Sequence, residues 1–136
     1  MKLHKELKKL EETLIEYHSI DIKRNQIKFQ LIDPDFDKKI ELIFNKVSGF
    51  YFVNGYELSR YSTKDYEYGE KRELLSVVYD NSKEQKLIIK SRDTFYNGFD
   101  VSFNFTLEFM EGLLLIEADE IEIDGVGYNH LINHIG

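Results

Sequence analysis

The sequence predicts an α+β domain: an N-terminal amphipathic helix packed on a mainly antiparallel β-sheet of about six to eight strands. Three observations carry that expectation. Apolar residues recur at helical spacing only near the N-terminus, they alternate with polar residues at a period of two along most of the remaining chain, and short turn-forming stretches join the segments. A chain of 136 residues has the size of one domain and is too short for two joined by a linker, so residues 1–136 are read as a single domain.

The helix comes first. Leu3, Leu7, Leu10, Leu14 and Tyr17 are spaced four, three, four and three apart, which draws one stripe along a helix from residue 3 to residue 17. Its charges oppose its dipole, since Lys2, Lys5, Lys8 and Lys9 come early and Glu11, Glu12 and Glu16 come late. Docking on a sheet must therefore supply its stability.

After Ser19 the period becomes two. Ile27, Phe29 and Leu31 alternate with Lys28 and Gln30, and Ile40, Leu42 and Phe44 follow Lys39 and Glu41 in the same way, giving two half-buried strands. Asp33-Pro34-Asp35-Phe36-Asp37 between them has the proline and aspartates of a turn, so a hairpin is expected. Val47–Val53 and Tyr56–Tyr61 flank Asn54-Gly55, a pair suited to a type I′ turn, which predicts a second hairpin. Leu74–Tyr79, Lys86–Lys90 and Val101–Phe109 read as further strands, the last with Val101, Phe103, Phe105, Leu107 and Phe109 on one face. Leu114, Ile116 and Ala118 share one parity and Ile121 and Ile123 the other, so a bulge sits near Asp119-Glu120 or two strands meet there.

The charge balance bears on function. With 18 Lys and Arg against 25 Asp and Glu, the net charge of −7 disfavours a nucleic-acid partner. The chain contains no cysteine, so disulfides and thiolate metal sites are excluded. Charged residues fill the start of the chain where a signal peptide needs an apolar run, and the longest apolar stretch, Leu113–Ile116, falls far short of a membrane span. A cytoplasmic protein without membrane association is expected.

Four constellations are candidates for a site. His130 and His134 stand four apart, a spacing that could seat a metal on a helix, but Leu131 follows His130 where a zinc protease motif requires glutamate, and ordinary tail histidines are the better reading. Glu117, Asp119, Glu120, Glu122 and Asp124 form an acidic run lacking the spacing and central glycine of a calcium loop; it reads as a solvated strand face, or as a docking edge for a basic protein. Phe50 to Tyr68 concentrates aromatics. Phe50 and Phe52 share a face and are expected in the core, whereas Tyr56, Arg60, Tyr61, Tyr66 and Tyr68 suit a partner-binding loop as well as they suit packing. Ser91–Gly98 is a polar connection. No nucleophile elbow, phosphate loop or dinucleotide fingerprint is present, so no catalytic residues, metal or cofactor are assigned and a non-enzymatic role is expected.

Tyr17-His18-Ser19-Ile20-Asp21-Ile22, the strands Ile27–Leu31 and Ile40–Val47, and Leu115-Ile116-Glu117-Ala118-Asp119-Glu120-Ile121 together resemble the small β-rich immunity proteins found beside polymorphic toxins in Gram-positive bacteria. The resemblance covers the first third and last quarter of the chain. It implies a cytoplasmic antitoxin that binds a toxin domain, a basic one by charge complementarity, and blocks its active site without chemistry of its own. The alternative is a small-molecule-binding β module whose pocket is lined by Phe103, Phe105 and Phe109 beneath the N-terminal helix.

Overall fold

The computed structural model describes residues 2–55, 70–90, 92 and 98–132. One helix, α1 (Lys2–Lys8), precedes nine strands among the described residues: β1 (Thr13–Asp21), β2 (Gln26–Asp33), β3 (Lys38–Asn54), β4 (Arg72–Tyr79), β5 (Lys86–Ile89), β6 (Phe99–Ser102), β7 (Phe105–Phe109), β8 (Gly112–Ile123) and β9 (Val126–Tyr128).

Six of these strands close on themselves, which overturns the expected helix on an open sheet. β3, β2, β1, β4, β7 and β8 are hydrogen-bonded in that order, and β8 pairs back onto β3, completing an antiparallel barrel with β9 appended to β8. The length of β3 makes closure possible. Residues 38–44 pair with β2 and residues 42–54 pair with β8, so the two neighbours are staggered along one strand as a tilted barrel requires. The seam at the other side is short, with Thr13, Leu14 and Ile15 of β1 opposite Leu74, Glu73 and Arg72 of β4.

The helix is the second correction. The apolar stripe to Tyr17 is not one helix, because α1 stops at Lys8 and Glu12 takes a positive φ of 66°. The Glu12 amide donates to the Leu74 carbonyl at 2.8 Å, so the chain exchanges helical bonding for the barrel wall. β-Branched Thr13 and Ile15 then favour a strand, and the opposed charges leave little helix stability to resist it. Leu3, Leu7 and Leu10 still belong to the core, whereas Tyr17 stands exposed.

The core fills the barrel. Ile27, Phe29 and Leu31 from β2, Ile40, Leu42 and Phe44 from β3, Phe105, Leu107 and Phe109 from β7, and Leu114 to Ile123 of alternating phase from β8 meet the helix leucines. Phe44 stands edge-on to Phe29 at 6.3 Å and to Phe105 at 5.1 Å, the ring geometry that aromatic quadrupoles favour.

Several turns follow their residues. Asp33 accepts from the Asp35 amide at 2.9 Å in the expected hairpin between β2 and β3. Asp124 and Gly125, both at positive φ, join β8 to β9 with Ile123 opposite Val126, the two-residue turn that suits strand twist. Val47–Val53 lies within β3, which carries a positive φ at Lys46 and a register shift between Val47 and Gly49. The returning arm Tyr56–Tyr61 of the second expected hairpin lies outside the described residues, as does most of the Ser91–Gly98 connection. β8 runs unbroken through its phase change at Asp119-Glu120, so two strands do not meet there. The strand expected over Val101–Phe109 is broken at Phe103-Asn104: β6 leaves the barrel to pair with β5, and β7 stays within it.

Candidate partner-binding surface

The inner positions of β8 are Leu114, Ile116, Ala118, Ile121 and Ile123, so its acidic residues stand on the outer face. Most of them are tied to neighbouring backbone or side chains. β3 takes two steps from Val47 to Gly49 while β8 takes one, leaving Ser48 bulged, and the Ser48 hydroxyl donates to the Glu117 carboxylate. The other oxygen of Glu117 accepts from the Ser102 amide at 2.8 Å, which staples the β5–β6 ribbon to the barrel. Asp119 accepts from the Ile132 amide at 3.0 Å. Lys46 reaches Glu120 at 2.9 Å, and that hydrogen bond, with the carboxylate's charge, raises the lysine pKa. Asp124 accepts from the Glu41 amide at 2.9 Å, holding the β8–β9 turn against β3. Glu122 stands half-buried opposite Ile43 and Gly127.

The aromatic stretch is divided by what is described. Tyr56, Arg60, Tyr61, Tyr66 and Tyr68 lie outside the described residues. Phe50, Tyr51 and Phe52 are 39%, 46% and 49% exposed, so the core position expected for Phe50 and Phe52 is corrected. The reason is strand overhang. β3 runs ten residues past Phe44, its last residue paired with β2, so the inward side of its far half keeps β8 as a neighbour but loses β2. Phe50 and Phe52 pair with Ile116 and Leu114 on the inner face, and Tyr51 pairs with Leu115 on the outer face; aromatic surface is exposed on both faces.

Arg72 anchors this end. Its guanidinium carbon lies 5.9 Å from the Phe52 ring centre and 5.5 Å from that of Phe109, and its Nε donates to the Met110 carbonyl at 2.8 Å. Met110 is itself exposed, extending the apolar surface across the β7–β8 turn. Nothing in the sequence marks Arg72, which sits beside Lys71 and Glu73 as if at an ordinary charged strand boundary.

A separate cleft of about 230 Å³ is lined by Asn81, Lys83, Ser102, Phe103, Asn104, Glu117 and Ile132. Asn104, at 4% exposure, is the polar centre beside it. Its side-chain oxygen accepts from the Ala118 amide at 3.1 Å, and its nitrogen donates to the carbonyls of Ala118 at 2.8 Å and Leu131 at 3.2 Å. Every hydrogen-bonding atom of the amide is thus engaged with this chain's own backbone. His130 is exposed at a positive φ of 57°, and His134 lies outside the described residues. Among the described residues, no group of three His, Asp or Glu side chains is placed to hold a metal, and no helix is long and apolar enough to cross a membrane.

A family-wide profile of YxiG-like proteins matches residues 3–128, from the first core leucine of α1 through the end of β9. The chain belongs to the YxiG-like family. That match spans the whole barrel and includes the aromatic end of β3, Arg72 and Asn104. No curated protein matches the chain.

Proposed function

We propose that this YxiG-like domain is a non-enzymatic protein-binding module that docks a partner on the aromatic end of β3. The observation that carries this reading is the run Phe50-Tyr51-Phe52, three consecutive exposed aromatics on a strand whose successive side chains face opposite ways. A strand end with one solvated face would carry polar residues on that face; aromatics on both faces, with Met110 and the Arg72 cation adjoining, have the composition of an interface core. Inhibition of a basic toxin domain by stoichiometric binding is the form that the sequence resemblance supports. The net charge of −7 would speed encounter with such a partner even though most carboxylates of β8 are occupied internally.

The alternative of a small-molecule module gains nothing from the packing. Phe103, Phe105 and Phe109 are all buried, and Phe105 contacts the rings of Phe44 and Tyr79, so side chains take the space a ligand would need. The test is capture with the tagged chain from lysate, repeated with a Phe50→Ser, Tyr51→Ser double variant. A protein retained stoichiometrically by the wild type and lost with the folded variant supports the surface. Equal retention by both removes it.

A further inference from the structure

The segment after β9 belongs to no sheet, yet Leu131 is only 3% exposed and joins the core. It is held by a cluster of bonds on two residues. The Leu131 amide donates to the Asp119 carbonyl at 3.0 Å, the Ile132 amide donates to the Asp119 carboxylate at 3.0 Å, and the Leu131 carbonyl accepts from the Tyr79 hydroxyl at 2.8 Å and from Asn104 at 3.2 Å. We propose that residues 129–132 form a latch that opens as a unit while the barrel stays folded, widening the cleft that Ile132 and Asn104 line.

Three features separate the latch from the barrel. Asn104 keeps both of its bonds to Ala118 when Leu131 leaves, so the clamp it forms on β8 does not depend on the segment. Of the groups the latch would abandon, the Tyr79 hydroxyl and the carboxylate and carbonyl of Asp119 belong to half-buried residues that water can reach, and the freed Asn104 proton faces the cleft that opening widens. His130 holds a positive φ of 57°, a conformation unfavourable for a residue with a Cβ, so opening relieves local strain. Ile132 lines the existing cleft, so its departure removes one wall.

Amide hydrogen exchange on the intact chain tests this. The Leu131 and Ile132 amides are expected to exchange faster than the Ala118 amide and with little dependence on low denaturant concentrations, the mark of a local opening that exposes little surface. Tyr79→Phe, which keeps the ring packed on Phe105, should speed those two amides about tenfold and leave Ala118 unchanged, as expected for one lost hydrogen bond. Exchange of Leu131 and Ile132 at the rate and denaturant dependence of Ala118 would overturn the latch, as would acceleration of all three amides alike by Tyr79→Phe.

Discussion

Asn104→Ala tests how the barrel survives the break between β6 and β7. In an antiparallel strand the N–H and C=O of one residue point to the same edge, and the Asn104 side chain accepts from the N–H of Ala118 and donates to its C=O. The amide therefore replaces a missing strand residue. Truncation leaves the Ala118 N–H and C=O without that partner in a position where Ala118 is 0% exposed, while the Leu131 carbonyl retains the Tyr79 hydroxyl. Two orphaned groups at about 1–3 kcal/mol each give a loss of about 2–6 kcal/mol. At about 0.05–0.15 kcal/mol per residue, a domain of this length has a total of about 7–20 kcal/mol. The assay is urea unfolding followed by far-ultraviolet circular dichroism. With a slope near about 2 kcal/mol per molar, the midpoint should fall by about 1–3 M at unchanged slope. A fall of less than about 0.5 M would refute the argument that the amide substitutes for a strand.

Two further perturbations probe the ribbon and the aromatic cluster. A Cβ at Gly49 would come within 2.8 Å of Val101 Cγ1, so Gly49→Ala should push β6 off the barrel and cost about 1–3 kcal/mol in the same urea assay, with part of the loss recovered in Gly49→Ala, Val101→Ala; no recovery would place the strain elsewhere. Burial raises the Tyr79 phenol above its ordinary pKa of 10.0, and the nearby Asp119 charge adds to the effect. The folded state then binds this proton more tightly than the unfolded state, so the contribution is fully present below pH 10.0 and is lost as pH rises through the folded value. In a spectrophotometric titration, Tyr79→Phe should remove a phenol that ionises late and flatten the alkaline fall in stability; an unchanged alkaline limb would contradict this assignment.

The parts of the fold legible in the sequence were those set by neighbouring residues. Alternation at Ile27–Leu31 and Ile40–Phe44 located β2 and β3, and the aspartates around Pro34 located their turn. Closure depended on pairing between residues remote along the chain, such as Phe44 with Ile121 and Thr13 with Leu74, and periodicity carries no information about which edge meets which. The helix was overextended for a related reason. Leu3 and Leu7 reach the core from α1 and Leu10 from the turn after it, whereas Leu14 is half-buried in β1 and Tyr17 is exposed, so a spacing that suits one helix runs across a helix, a turn and a strand.

The same distinction governs the candidate surface. The acidic run was conspicuous because charge can be counted, but Glu117, Asp119, Glu120 and Asp124 each meet a defined partner within the barrel, and their positions follow from the need to tie down a bulge, a tail, a lysine and a turn. Alternation places Phe50 and Phe52 on the inner face, which is where they are, and inner-face position predicts a core residue. Face and burial separate when a strand outruns its neighbour. β2 stops opposite Phe44 and β3 continues, so inward-facing rings emerge at an overhang, and only the register of three strands reveals it. Exposed aromatics produced by an overhang cost solubility, and a partner that covers both faces of the strand end would remove that cost. On the proposed partner-binding reading, the end of β3 rather than the acidic face of β8 would supply the binding energy, with the chain's charge acting chiefly on the rate of encounter.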